Sequence, residues 1–250
     1  MKIFALTLSL FFILTSLHAQ KIEFSVQANS GLFHYSGKSA TTVSLIHQGP
    51  PNIPNYTNNP YGSKNGFGYG VNLQGQFISK GGFIAGLQAG YEMLKSKVDI
   101  NGILLYNDIA IDYLPSANFA APAPVEAKGQ TYLKNKFINL SPYVGYRINL
   151  KKVKLDLMPG IDLGFGLSTY ENGKATTADG SNTTVQTDLK RGKAPTDVRL
   201  KFAAALVYDR FGLTASYAHG LTNYQADIIG DADFKAHSEL MRFGVSYRLK

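Results

Sequence analysis

The chain has no cysteine and no tryptophan among its 250 residues. The missing cysteine excludes a disulfide scaffold, thiol chemistry and a Cys-based metal site. Beyond Gln20 the chain lacks the ~20 consecutive apolar residues that a membrane helix requires. Histidine is sparse, and His34, His47, His219 and His237 have no metal-ligand spacing. No compact run of Lys or Arg occurs, although the net charge is +8. A basic balance can indicate nucleic acid. An export signal argues against that partner, and anionic lipid head groups are the more natural counter-charge.

That signal lies at the N-terminus. Lys2 supplies the charge, Ile3–Leu17 the apolar run, and Leu17-His18-Ala19 a small-residue cleavage site before Gln20. This is the plan of a secretory signal peptide, too short for a transmembrane anchor. Residues 1–19 are therefore expected to be removed, leaving residues 20–250 as one β-barrel domain.

The remaining chain is rich in period-two alternation, with 25 glycines, 15 tyrosines and 15 phenylalanines. Side chains on a strand point alternately to opposite faces, so each alternating run has two chemically distinct faces. In Val198–Tyr208 the residues Val198, Leu200, Phe202, Leu206 and Tyr208 oppose Arg199, Lys201, Ala203, Ala205 and Val207. After Asp209-Arg210 the pattern resumes in Phe211, Leu213, Ala215 and Tyr217. Six further runs read the same way: Lys21–Phe33, Asn65–Ser79, Phe83–Met93, Lys134–Asn149, Leu155–Phe165 and His237–Lys250. Gly66, Gly68 and Gly70 lie inside such a run with no helix pattern after them, so a phosphate loop is excluded by context. Pro142 and Pro159 lack ladder donors and predict a bulge or missing bond at each.

Connections between the runs alternate in length. Lys80–Gly82, Asn149–Lys152 and Asp209-Arg210 are short. His34–Lys64, Lys95–Leu133, Ser168–Pro195 and Gly220–Ala236 are long and rich in Pro, Asn, Thr or Gly. Within Lys95–Leu133, Lys97–Leu114 has enough Val, Ile and Leu to extend a hairpin, and Pro115–Gly129 reads as mobile. The expected fold is all-β: an eight-stranded antiparallel up-and-down transmembrane β-barrel, with four long extracellular loops and three short periplasmic turns.

Aromatic placement suits that fold. Phe24, Phe77, Phe83, Tyr146, Tyr208, Phe211 and Tyr247 fall near the short-turn end of the apolar face. Phe67, Tyr69, Tyr91, Phe165, Phe202 and Tyr217 fall near the long-loop end. Two such rings separated by aliphatic residues match two lipid–water interfaces. A soluble lipocalin-like barrel would reverse the faces, burying the aromatic rings and exposing the charges. The mostly small partners on the opposite face suit a crowded interior better.

Several segments resemble the PorT-like outer-membrane β-barrel family of Bacteroidetes. Tyr217-Ala218-His219-Gly220-Leu221-Thr222-Asn223 is similar to that family's Tyr-x-x-Gly-Leu-Thr-Asn segment. Phe137–Arg147 resembles its apolar strand with a central Pro, and Lys154–Gly166 its next strand, with Pro159-Gly160 inside. The ending Tyr247-Arg248-Leu249-Lys250 departs from the terminal aromatic of such barrels. The resemblance implies a Gram-negative cell outer membrane location, and for some members a role in protein secretion. It carries no catalytic residue.

The face opposite the aromatics collects Glu23, Glu92, Arg147, Asp156, Asp162, Arg199, Lys201, Arg242 and Arg248. In a narrow barrel Glu92, Asp156 and Asp162 are expected to meet Arg147, Arg199, Lys201, Arg242 and Arg248 in an interior ion network that plugs the lumen. The alternative is a narrow ion or proton path. Lys95, Lys97, Lys134 and Lys136 flank two strands at the long-loop end, where they could hold lipopolysaccharide phosphates; otherwise they form an ordinary solvated rim. His219 has no Ser partner in register. In His237-Ser238-Glu239 the serine points away from its neighbours, which defeats a triad. No catalytic, cofactor-binding or metal residue is expected. The chain thus reads as a non-enzymatic, monomeric outer-membrane protein with a structural or interaction role, of which envelope assembly or secretion is one version. Its expected partners are outer-membrane lipid, lipopolysaccharide and envelope proteins met through the loops, with no nucleic acid. A small channel is the alternative, followed by an outer-leaflet lipid-modifying enzyme.

Overall fold

The computed structural model describes residues 21–106, 123–226 and 233–249. The segment expected to be a signal peptide, Asp227 and Asp231, and most of the Pro/Ala-rich stretch lie outside these residues. Eleven strands form one sheet: β1 (Lys21–Ser36), β2 (Val43–His47), β3 (Tyr56–Thr57), β4 (Lys64–Ile78), β5 (Phe83–Leu104), β6 (Val125–Leu150), β7 (Val153–Thr177), β8 (Thr184–Arg191), β9 (Asp197–Tyr208), β10 (Phe211–Gly220) and β11 (His237–Arg248).

The eight-stranded antiparallel up-and-down expectation is corrected by this count and by the pairing. Three strands, β2, β3 and β8, lie in segments expected to be loop. β2 runs parallel to β5, with Val43 opposite Asp99 and His47 opposite Leu104. β8 branches from β7 off the main strand order. The sheet is therefore not a regular array of eight antiparallel strands. The reason is physical. Polar, Pro-rich segments carry weak intrinsic strand preference, but a partner edge supplies the ladder that composition does not reveal. β5 and β7 overshoot the expected runs and provide edges for β2 and β8, while β2 provides one for β3; the β5 extension lies in Lys97–Leu114, expected to extend a hairpin.

Among the long strands, pairing runs β5-β4-β1-β11-β10-β9-β7-β6, and β6 also pairs β5. Neighbouring chain segments meet through tight connections. Tyr208 pairs Phe211 across Asp209-Arg210, and Leu150 pairs Val153 across Lys151-Lys152. Asp209 (φ 48°) and Lys151 (φ 53°) take left-handed backbone angles there, as two-residue hairpin loops require. No register shift falls at Pro142 or Pro159, but the β6–β7 pairing is interrupted beside each, between Leu140↔Leu163 and Tyr143↔Gly160 and between Tyr143↔Gly160 and Tyr146↔Leu157, as residues without ladder donors lead one to expect. Both prolines face outward beyond the crowded side.

The alternation sets two faces. Outward side chains include Phe24, Leu73, Phe83, Tyr146, Leu206, Phe211, Leu213 and Val245, all exposed. The inward face holds Glu23, Gln74, Glu92, Arg147, Asp156, Asp162 and Arg199, all buried. This polarity is inverted relative to a water-soluble protein, and so much contiguous outward apolar surface requires an apolar surrounding.

β7 changes face near its middle. Asp156, Met158, Asp162 and Gly164 are buried below, and Thr169, Glu171, Ala175 and Thr177 above. A register shift between Lys136 and Phe137 of β6 marks the extra β7 residue, Leu167, that resets the parity. Above this bulge, β5, β6 and β7 leave the apolar belt and pack with β2 and β8 into a lobe beyond it. Its core is Ile46, Val98, Ile100, Ile103, Ala127, Ala175 and Val185. Thr57 of β3 reaches into the lobe, where its backbone N–H and hydroxyl both donate to Glu171 at 2.6 Å.

Leu213→Arg, placing a charge mid-belt on β10, is expected to cost about 2–4 kcal/mol in lipid. Thr184→Arg on the lobe should change stability by less than ~0.5 kcal/mol. Urea unfolding from phospholipid vesicles compares the two.

Candidate functional site

The inward face is built in layers. At the short-turn end Arg147 grips Asp156 with two parallel bonds of 2.6 Å from Nε and Nη2. Its other edge holds Glu23 at 3.1 and 2.9 Å. Arg248 adds a bond of 2.5 Å to Glu23, and Gln76 donates to it at 3.0 Å. The planar guanidinium suits this fork geometry, in which one cation satisfies two carboxylates.

A neutral layer follows. Gln27, Gln74, Gln76 and Gln88 hydrogen-bond among themselves. Tyr143 donates to Gln76 at 2.9 Å and Lys201 to Gln88 at 2.5 Å. Lys201, expected as part of the ion network, thus meets an amide rather than a carboxylate at hydrogen-bond distance.

The second charged layer is the densest. Arg199, fully buried, reaches Glu92 at 2.6 Å, Asp162 at 3.2 Å and Asp197 at 2.7 Å. Arg242 reaches the same Glu92 and Asp162, each at 2.7 Å. Ser141 donates to Asp162 at 2.6 Å. The Arg199 guanidinium also lies over the Phe137 ring, 5.2 Å from its centroid. Three carboxylates and two guanidiniums on β5, β7, β9 and β11 therefore join four strands across the interior.

Above this layer sits an aromatic lid of Phe33, Tyr35, Tyr61 and Tyr224, with edge-on ring contacts of 5.0–6.2 Å. Tyr224 donates to Asp197 at 2.7 Å, tying the lid to the charges. Burial pushes the Tyr61 and Tyr224 hydroxyls above the ordinary tyrosine range, so both remain neutral.

Period-two parity places Glu23, Glu92, Arg147, Asp156, Asp162, Arg199, Arg242 and Arg248 on one face, and the fold pairs them. Asp197 and Tyr224 were not legible, because they fall at the edge of a loop-like segment and inside another. The glutamines share the charged face, and their parity alone could have flagged them.

On the outward face, Lys95 stands directly opposite Lys134, and Met93 opposite Lys136. Lys95, Lys134 and Lys136 line one groove of about 600 Å³ with Tyr69, Met93, Tyr170, Asn172 and Asp188. Lys97 does not line it; it pairs with Lys64, whose ammonium contacts Asp99. At the β10–β11 rim His219 Nδ1 lies 2.7 Å from Glu239, and Ser36 donates to the same oxygen at 3.2 Å. The serine therefore meets the carboxylate rather than the imidazole, and Ser238 is buried on the inward face. No cluster of metal-ligating side chains occurs among the described residues.

Arg199→Ala leaves three buried carboxylates short of a cation, with an expected loss of about 3–5 kcal/mol. Lys38→Ala, removing an exposed pair with Asp233, should leave the transition unmoved. Denaturant unfolding in detergent micelles measures both.

No curated protein matches the chain in sequence. Among solved structures it is similar to Neisserial surface protein A, at 13% identity, covering 90% of this chain and 96% of that one, with a TM-score of 0.36. It is also similar to Ail, the attachment invasion locus protein of Yersinia pestis, at 11% identity, covering 93% and 100%, with a TM-score of 0.30. The outer membrane protease OmpT from Escherichia coli matches at 11% identity, covering 92% and 96%, with a TM-score of 0.30. The family model described as outer membrane protein beta-barrel domain matches residues 19–225. The chain therefore belongs to the outer membrane β-barrel domain family.

Proposed function

We propose that this outer-membrane protein is a non-enzymatic structural or interaction protein whose interior is sealed and whose working surface is extracellular. The observation that carries this reading is the Glu92–Asp162–Arg199–Arg242 network, which ties four strands together across the lumen. A conducting path needs continuous space. The interior cavities lined by these layers hold only about 30 Å³ and about 20 Å³, room for a water or two each. The aromatic lid adds a further obstruction above them.

The lobe built from β2, β3, β8 and the ends of β5–β7 gives the protein a folded extracellular platform, of the kind that positions contacts with other molecules. The likeness of Tyr217–Asn223 to the PorT-like segment supports a role in envelope assembly or protein secretion within this class.

Purified protein in planar lipid bilayers should show no discrete conductance steps. Steps in the wild type that vanish on Arg147→Ala or Arg199→Ala would instead establish an ion path through the network.

A further inference from the structure

The outward face of β5, β6 and β7 has a feature that the interior network does not require. Just above the apolar belt, cationic side chains crowd one sector. Lys95 is directly opposite Lys134 across the β5–β6 pair. Two strands away, Lys190 is opposite Tyr170. Like charges facing each other across a sheet destabilise it. No carboxylate lies within ion-pair distance of Lys95, Lys134 or Lys136 among the described residues. The inward charges, by contrast, are closely paired. An ordinary rim would alternate signs or spread its charge. At the β10–β11 sector of the same rim the outward groups are instead His219 and Glu239.

The lysines also sit in a shaped surface. Their groove of about 600 Å³ shares Asn172 and Asp188 with a second groove of about 860 Å³. The second continues up the lobe and is lined by Lys128, Gln130, Tyr132, Lys174, Thr176 and Gln186, with other residues. The Lys95 ammonium lies 4.9 Å from the centroid of the Tyr132 ring, at the junction between the two. The Asn172 Oδ1 atom at that junction is buried with no hydrogen-bond partner. One surface thus runs from apolar belt, through cations, to amides, hydroxyls and an aromatic ring.

We propose that this surface binds lipopolysaccharide from the outer leaflet. Lys95, Lys134 and Lys136 hold the phosphates of its lipid A headgroup. Tyr132, Asn172, Gln186 and Lys174 meet the first sugars that extend outward from it. The order of chemistries along the groove matches the order in that molecule: acyl chains, phosphorylated disaccharide, then core saccharide. Three unpaired ammoniums at the interface attract a phosphorylated headgroup. Acyl chains lie along the neighbouring belt residues.

The test is binding of purified full-length protein to three probes in detergent micelles by native mass spectrometry: diphosphoryl lipid A, lipopolysaccharide with its inner core, and phosphatidylglycerol. The wild type should prefer both lipid A-containing probes to phosphatidylglycerol by about tenfold or more. K95E/K134E/K136E should lose at least about tenfold in affinity for both. Lys95→Gln with Lys134→Gln should give a smaller loss, keeping the test readable where charge reversal perturbs folding. Tyr132→Ala should weaken core-containing lipopolysaccharide more than lipid A. Unchanged binding in the folded triple variant, or equal binding of phosphatidylglycerol, overturns the proposal. The readout is independent of conductance, so a sealed lumen can stand or fall separately.

Discussion

The interior guanidinium–carboxylate network is the interaction on which the other features depend. Outward side chains must be apolar in a membrane, so the polar residues are forced inward. Once inside, each charge has to meet an opposite one, because an unpaired buried ion costs several kcal/mol. Glu23, Asp156, Glu92, Asp162 and Asp197 meet that demand through Arg147, Arg248, Arg199 and Arg242. Because the partners lie on different strands, the pairing also pins register across the interior. Gln27, Gln74, Gln76 and Gln88 lie between the two charged layers without adding charge, and Gln76 ties them to Glu23.

The same inversion of polarity explains why the protein divides into two regimes along its strands. Within the belt, aliphatic and aromatic residues face out and polar residues face in. Above it, the lobe reverts to the ordinary arrangement: Ile46, Val98, Ile100 and Val185 are buried inside, while Lys128, Gln130, Lys174 and Gln186 face outward. The β7 bulge at Leu167 sits at the boundary. One extra residue there keeps Asp162 inward below and Glu171 inward above, which unbroken alternation could not do. The outward lysines gather at the same boundary.

Much of the belt was legible in the chain itself. The alternation of Phe202, Leu206 and Tyr208 with Arg199, Lys201 and Ala205 assigns faces without any coordinates, since side-chain direction on a strand has a period of two. Membership of the charged face by Glu92, Arg147, Asp156, Asp162, Arg199, Arg242 and Arg248 follows from the same rule. The short connections at Lys80–Gly82, Asn149–Lys152 and Asp209-Arg210 were readable from composition and spacing.

Partners were not readable, because which inward group meets which depends on register and on the distance across the interior. Lys201 shares the charged face yet binds Gln88. Lys97 shares a strand face with Lys95 yet falls outside the lysine groove. β2, β3 and β8 arise where composition suggested loop, because the overshooting edges of β5 and β7 and the strand β2 itself offer them ladders. Local chemistry alone therefore determined which face each belt residue takes. Only tertiary structure decided which strands exist beyond the belt, which charges pair, and which lysines share one surface, because all three depend on contacts between residues far apart in the chain.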